Sequence, residues 1–147
     1  MCKKTRAAIL GVAMAGALAA ASPASAAIRI SYIYYNPPGK DTLTNTHINK
    51  EYIRIHNSGT HSKAIGGWTI RDTSHHVYKF ASSYRLCAKC TVTVHTGRGT
   101  DTRAKKYWGY RNYVWNNTGD TATLKNASGT VRDRCHYRGT STGHVRC

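Results

Sequence analysis

Arg103, Lys105, Lys106 and Arg111 are interleaved with Tyr107, Trp108, Tyr110 and Tyr113 in one stretch of chain. Cations alternating with rings are the mixture that holds a phosphate backbone while bases or sugars stack beside it. Arg103, Lys105, Lys106, Tyr107, Tyr110 and Arg111 are therefore the candidate ligand-binding residues. The plain alternative is a solvated loop whose rings pack on the domain's edge and whose charge only keeps the chain soluble. Overall composition points the same way as the loop: 22 Lys and Arg stand against 6 Asp and Glu, a formal net charge of +16. Such an excess attracts polyanions, with nucleic acid and anionic cell-wall polymers as the expected classes.

Acid is the scarce resource for catalysis. Glu51 is the only glutamate, joined by Asp41, Asp72, Asp101, Asp120 and Asp133. A small secreted nuclease would use Glu51 as base, His95 or His56 as acid and Arg54 for the phosphate. On an alternating strand, however, Glu51 and Arg54 face opposite sides. Serine-nucleophile, zinc-protease and phosphate-loop motifs do not occur in the sequence. No catalytic residue is assigned, and a binding module is expected, either for a polyanion or, as a structural or adhesive protein, for another protein.

The histidines are scattered, and the adjacent pair His75 and His76 points two ways on a strand. Asn116, Asn117, Thr118 and Asp120 offer oxygen ligands, yet the same residues are what a tight connection between strands requires. No metal or cofactor is expected. Cys87, Cys90, Cys135 and Cys147 have two short separations, which favour two local disulfides, Cys87 with Cys90 and Cys135 with Cys147. A zinc site from the same four thiolates is disfavoured, because the second spacing is too wide for a knuckle and an exported chain meets an oxidising setting.

Export is read from the beginning of the chain. Lys3, Lys4 and Arg6 precede an apolar run from Ala7 to Ala21, and the small-residue triplet Ala24, Ser25, Ala26 follows. This is the layout of a cleavable signal peptide over residues 1–26, too short in its apolar part to span a bilayer. Residues 27–147 then form one domain, secreted and without a membrane span. Subtracting those 3 cations from the 22 leaves 19 against the same 6 acids, about +13.

The elements that position these residues are short and alternate with period two. Ile28, Ile30, Tyr32 and Tyr34 are expected on one face of a first strand, and Ile53 and Ile55 point inward from a second, opposite Tyr52, Arg54 and His56. A polar loop runs from Asn36 to about Asn49. Trp68 with Ile70, Val77–Phe80, Val92 with Val94, Tyr113–Trp115, Thr121–Lys125 and Thr130–Cys135 supply further strands, the last two joined as a hairpin. Trp68 and Trp115 are read as core, and Arg54 and Arg71 as outward. No helical period is sustained. Seven to nine strands in one domain suit an all-β, immunoglobulin-like sandwich.

Several blocks, in order, carry a resemblance. They are Ile30–Asp41, Asn49–Asn57, Ile65–Asp72, Val92–Gly99 and Trp115–Leu124, the last with Asn116-Asn117-Thr118-Gly119-Asp120 at its centre. Together they make the chain similar to the lamin tail domain, in the form found in secreted bacterial proteins. That resemblance implies an immunoglobulin-like sandwich serving as an interaction module. The sequence has no heptad repeat of the kind that builds a lamin rod, so the resemblance carries over the domain and not a nuclear role.

Overall fold

Alternate residues of each short run can be buried only if the run is extended, and the chain obeys this almost throughout. The computed structural model describes residues 27–147; the expected leader, residues 1–26, lies outside the described residues. In chain order come β1 (Ile28–Tyr34), a one-turn helix α1 (Asn45–Ile48), β2 (Tyr52–Asn57), β3 (Lys63–Ala64), β4 (Thr69–Arg71) and β5 (Val77–Lys79). They are followed by β6 (Arg85–Leu86), β7 (Thr91–His95), β8 (Lys105–Tyr107), β9 (Gly119–Lys125), β10 (Val131–Arg138) and β11 (His144–Arg146).

One sheet has five strands in the order β11-β1-β2-β7-β8, and a second has four in the order β10-β9-β4-β5. These nine strands form the immunoglobulin-like sandwich, and the two-residue pair β3-β6 is additional. Every pairing is antiparallel except β7 with β8. Ile53, Ile55, Val92 and Val94 from the first sheet meet Ile70, Ala122 and Leu124 from the second, all fully buried. Each such aliphatic side chain contributes roughly 1.5–3 kcal/mol on leaving water. Trp115 joins this core, and Trp68 packs against it.

Both expected disulfides are formed, Cys87 with Cys90 and Cys135 with Cys147. The hairpin β9-β10 turns through Asn126–Gly129, where Gly129 has a positive φ of 85°.

Four local expectations are corrected. First, Ile28, Ile30, Tyr32 and Tyr34 do not share a face: the β1-β2 register shifts between Ile30 and Tyr32. The extra residue Ser31 makes a bulge, which reverses the alternation. Ile33 is thereby buried, while Tyr32 and Tyr34 are turned outward. Second, Tyr113–Trp115 is not a strand. The backbone N–H groups of Val114 and Trp115 are donated to the Glu51 carboxylate at 2.9 and 3.0 Å, in place of a ladder. Third, the polar loop contains helix α1, capped by the Thr44 side chain and buried through His47 and Ile48. Fourth, Lys105–Tyr107, read as loop, is the edge strand β8.

Candidate functional site

The outward face of the five-stranded sheet is assembled by cross-strand register. His144 on β11 is opposite Tyr34 on β1, Tyr34 is opposite Tyr52 on β2, Tyr52 is opposite His95 on β7, and His95 is opposite Tyr107 on β8. Each strand thus contributes one ring to a single row. At the usual interstrand spacing the row spans roughly 19 Å. Two positions along the strands lies a second row, Arg146, Tyr32, Arg54, Thr93 and Lys105, again one residue from each strand. A line of rings is therefore flanked on one surface by a line that carries three cations, with Tyr32 and Thr93 between them.

The rings support one another. Tyr32 stacks on Tyr52 and on His144 with centroids 5.8 and 5.3 Å apart, and His95 stacks on Tyr107 at 5.3 Å. The Arg54 guanidinium lies over the rings of Tyr32 and Tyr52 at 5.3 and 4.9 Å, a cation–π arrangement that holds its head at the surface. Tyr107 lies against Gly99, where a Cβ would meet its ring at 2.4 Å, so a larger residue there would push the ring aside. All six rings remain partly accessible, and Arg54, Lys105 and Arg146 are exposed.

Protonation on this face is set by burial and neighbours. Burial lowers the His95 pKa, and the Lys105 and Arg54 charges add to this, against the opposing hydrogen bond to Asn49. Its Nδ1 sits 2.7 Å from the Asn49 carbonyl oxygen, which can only accept, so Nδ1 carries the proton. Burial, then Tyr52 and Tyr34, raise the Tyr32 phenol above its ordinary value, and it stays neutral. The surface consequently sets rings beside permanent cations, the combination that stacks planar or sugar groups while pairing with phosphates. A shallow cavity of about 370 Å³ between Tyr32, Arg54, Thr93 and Arg146 lies within it.

The residues singled out in sequence are divided by the fold. Lys105 and Tyr107 fall on this face because β8 joins the sheet. Lys106 points the other way, 4.7 Å above the Tyr84 ring and 3.4 Å from the Asp101 carboxylate. Arg103 is beside it at the same Tyr84 site. Tyr110 packs on the core and meets His76 edge-on, and Arg111 is exposed beyond it.

Other groups weighed in sequence are structurally engaged. Glu51 is fully buried, and its oxygens accept from Thr96 Oγ1, Val114 N and Trp115 N, whereas Arg54 projects from the opposite side. Asp120 is likewise surrounded by donors, from Thr73, Asn116 and Thr121, and ties the Asn116–Asp120 turn together. The sequence reading missed Tyr34, Tyr52, His95, His144, Arg54 and Arg146 as one site. Their signal was present in the outward positions of β2 and β7, but Tyr32 and Tyr34 were hidden by the bulge.

The lamin tail domain family model matches residues 21–139, most of the chain. This chain belongs to that family. The match begins within the expected leader and ends before β11, which adds His144 and Arg146 to the face. No curated protein matches the chain. Membership in the lamin tail domain family supports an immunoglobulin-like interaction module, for which the two-row face is the candidate contact surface.

Proposed function

We propose that this lamin tail domain is a secreted, non-catalytic binding module that takes an anionic polymer, nucleic acid or cell-envelope polymer, on the outer face of its five-stranded sheet. The observation that carries this reading is the register of the face: a row of rings, one from every strand of the sheet, beside a second row that holds the cations Arg146, Arg54 and Lys105. Such a surface captures a polyanion by Coulomb attraction and counterion release, then holds its flat groups by stacking. Export is supported by the two disulfides. Among the described residues no helix is long and apolar enough to cross a membrane. The non-catalytic reading is supported by the position of Glu51, which lies beneath the face with both oxygens engaged.

The test is equilibrium binding of the mature chain to a fluorescent oligothymidylate and to a purified anionic wall polymer, each over a salt series. A steep fall in affinity with salt for at least one of them is expected. Salt-independent binding, or no binding to either, would overturn the reading in favour of a protein partner.

A further inference from the structure

A second cationic feature borders the two-row face, sharing Arg146 with it, where the two sheets meet. Strand β11 pairs with β1 only along Tyr32–Tyr34, so the edge of β1 at Arg29 and Ile30 is left uncovered. The edge strand β10 of the other sheet closes over this gap. Together they leave a cleft of about 480 Å³, lined by Arg29, Arg132, Arg134, His136 and Arg146, with Asp133 as the one acidic side chain. That volume is in the range of small-ligand sites.

The cleft is built rather than incidental. The Cys135–Cys147 disulfide joins β10 to the residue after β11, and the Cys147 N–H donates to Ser31 O at 3.2 Å. Asp133 Oδ2 accepts the Ile30 N–H at 2.7 Å, and Oδ1 accepts the Arg134 N–H at 2.8 Å. The acid thus serves the backbone. None of the four arginines is ion-paired among the described residues, where the pairs are His76 with Asp72 and Lys106 with Asp101.

Both strands that flank the cleft are bulged there. The β1 register shifts at Ser31, and the β10 register shifts between Val131 and Asp133, at Arg132. Bulges re-aim side chains and recur beside functional sites. Here they border a cleft lined by Arg29, Arg132, Arg134 and Arg146, whose like charges raise the local positive potential and favour an anion. Guanidinium forks match tetrahedral oxyanions bidentately, and a doubly charged oxyanion gains most from several at once.

We propose that this cleft is a separate site for a phosphate group, taken as free phosphate or as a phosphate monoester at the end of a larger molecule. It shares Arg146 with the sheet face and is separable from it through Arg132 and Arg134, which belong to the other sheet.

The experiment is a titration of the mature chain with inorganic phosphate, followed by ³¹P NMR and calorimetry at low salt. Oligothymidylate with a 5′-phosphate, its 5′-hydroxyl twin and glycerol phosphate serve as further probes. Saturable phosphate binding is expected, weakened roughly tenfold or more by Arg132→Ser and by Arg134→Ser. Arg134→Lys, which keeps the charge and loses the fork, is expected to weaken it as well. Tyr52→Ser is expected to leave phosphate binding unchanged and to weaken the 5′-hydroxyl oligonucleotide, which separates the two sites. A gain in affinity from the 5′-phosphate, or competition by glycerol phosphate, supports the cleft and identifies the source. Phosphate that does not saturate, or that binds the Arg132→Ser/Arg134→Ser double variant as tightly as the original chain, overturns the cleft and leaves the sheet face standing.

Discussion

The Glu51 carboxylate accepts the backbone N–H of Trp115 at 3.0 Å, across 64 positions of sequence. With Val114 N at 2.9 Å and Thr96 Oγ1 at 2.6 Å, it supplies the acceptors that a neighbouring strand would otherwise provide. The segment leading to β9 is held to the end of β7 by one side chain. Glu51→Gln keeps the shape but sets an amide N–H₂ against a backbone donor. We expect a loss of about 1–3 kcal/mol, read from the denaturant midpoint, with the binding face intact.

The same residue makes stability depend on pH. Burial pushes the Glu51 carboxyl up from 4.5 to about 8, outweighing the three hydrogen bonds that pull it down. Between these values the unfolded chain has released a proton that the folded chain keeps, so Glu51's contribution to stability falls as pH rises through this window. Below it both states are protonated, and above it both are ionised, so the contribution is level. Unfolding free energies at pH 4 to 9 are expected to show this decline in the original chain, and a flatter profile in Glu51→Gln. Parallel profiles would assign the dependence to other groups.

Arg54 and Tyr52 contribute different parts of binding. Arg54→Ser removes one cation from the face, which is expected to lower affinity and reduce the salt slope by about 1 if that cation meets a phosphate. Tyr52→Ser removes a ring from the centre of the row. An affinity loss of about 1–3 kcal/mol with an unchanged salt slope is expected for a polymer that stacks. Fluorescence anisotropy over a salt series measures both quantities.

Lys105 and Lys106 are neighbours with opposite roles. Lys106 is held between the Tyr84 ring and the Asp101 carboxylate, with its side chain 12% exposed. Lys106→Ser is expected to cost roughly 1 kcal/mol of stability and to leave polyanion binding nearly unchanged. Lys105→Ser is expected to do the reverse. Thermal melts alongside binding isotherms distinguish them, and equal effects of the two substitutions on binding would contradict the assignment of faces.

The two disulfides close very different loops. Cys135–Cys147 spans 12 positions and Cys87–Cys90 spans 3. Replacing both Cys135 and Cys147 by Ser is expected to cost on the order of 3 kcal/mol in the chain-entropy model, more than the corresponding change at Cys87 and Cys90. Guanidinium unfolding of the two variants gives the comparison. The first variant also frees Arg146, and is expected to weaken phosphate binding.

Period-two alternation, four cysteines at short local separations and the ordered blocks from Ile30 to Leu124 were legible in the sequence because each depends on residues close together in the chain. They were enough for an all-β domain of the lamin tail type, for the inward aim of Ile53, Ile55, Val92 and Val94, and for both disulfides. Register between distant strands decided the rest. One extra residue, Ser31, turned Tyr32 and Tyr34 outward, and a parallel pairing to β7 made a strand of Lys105–Tyr107 and split the loop's cations between two faces. Glu51 took the N–H groups that would have made Tyr113–Trp115 a strand. The ring row and the arginine cleft join residues more than a hundred positions apart, and only the folded sheets bring them together, because hydrogen-bond register across strands is not encoded within any one of them.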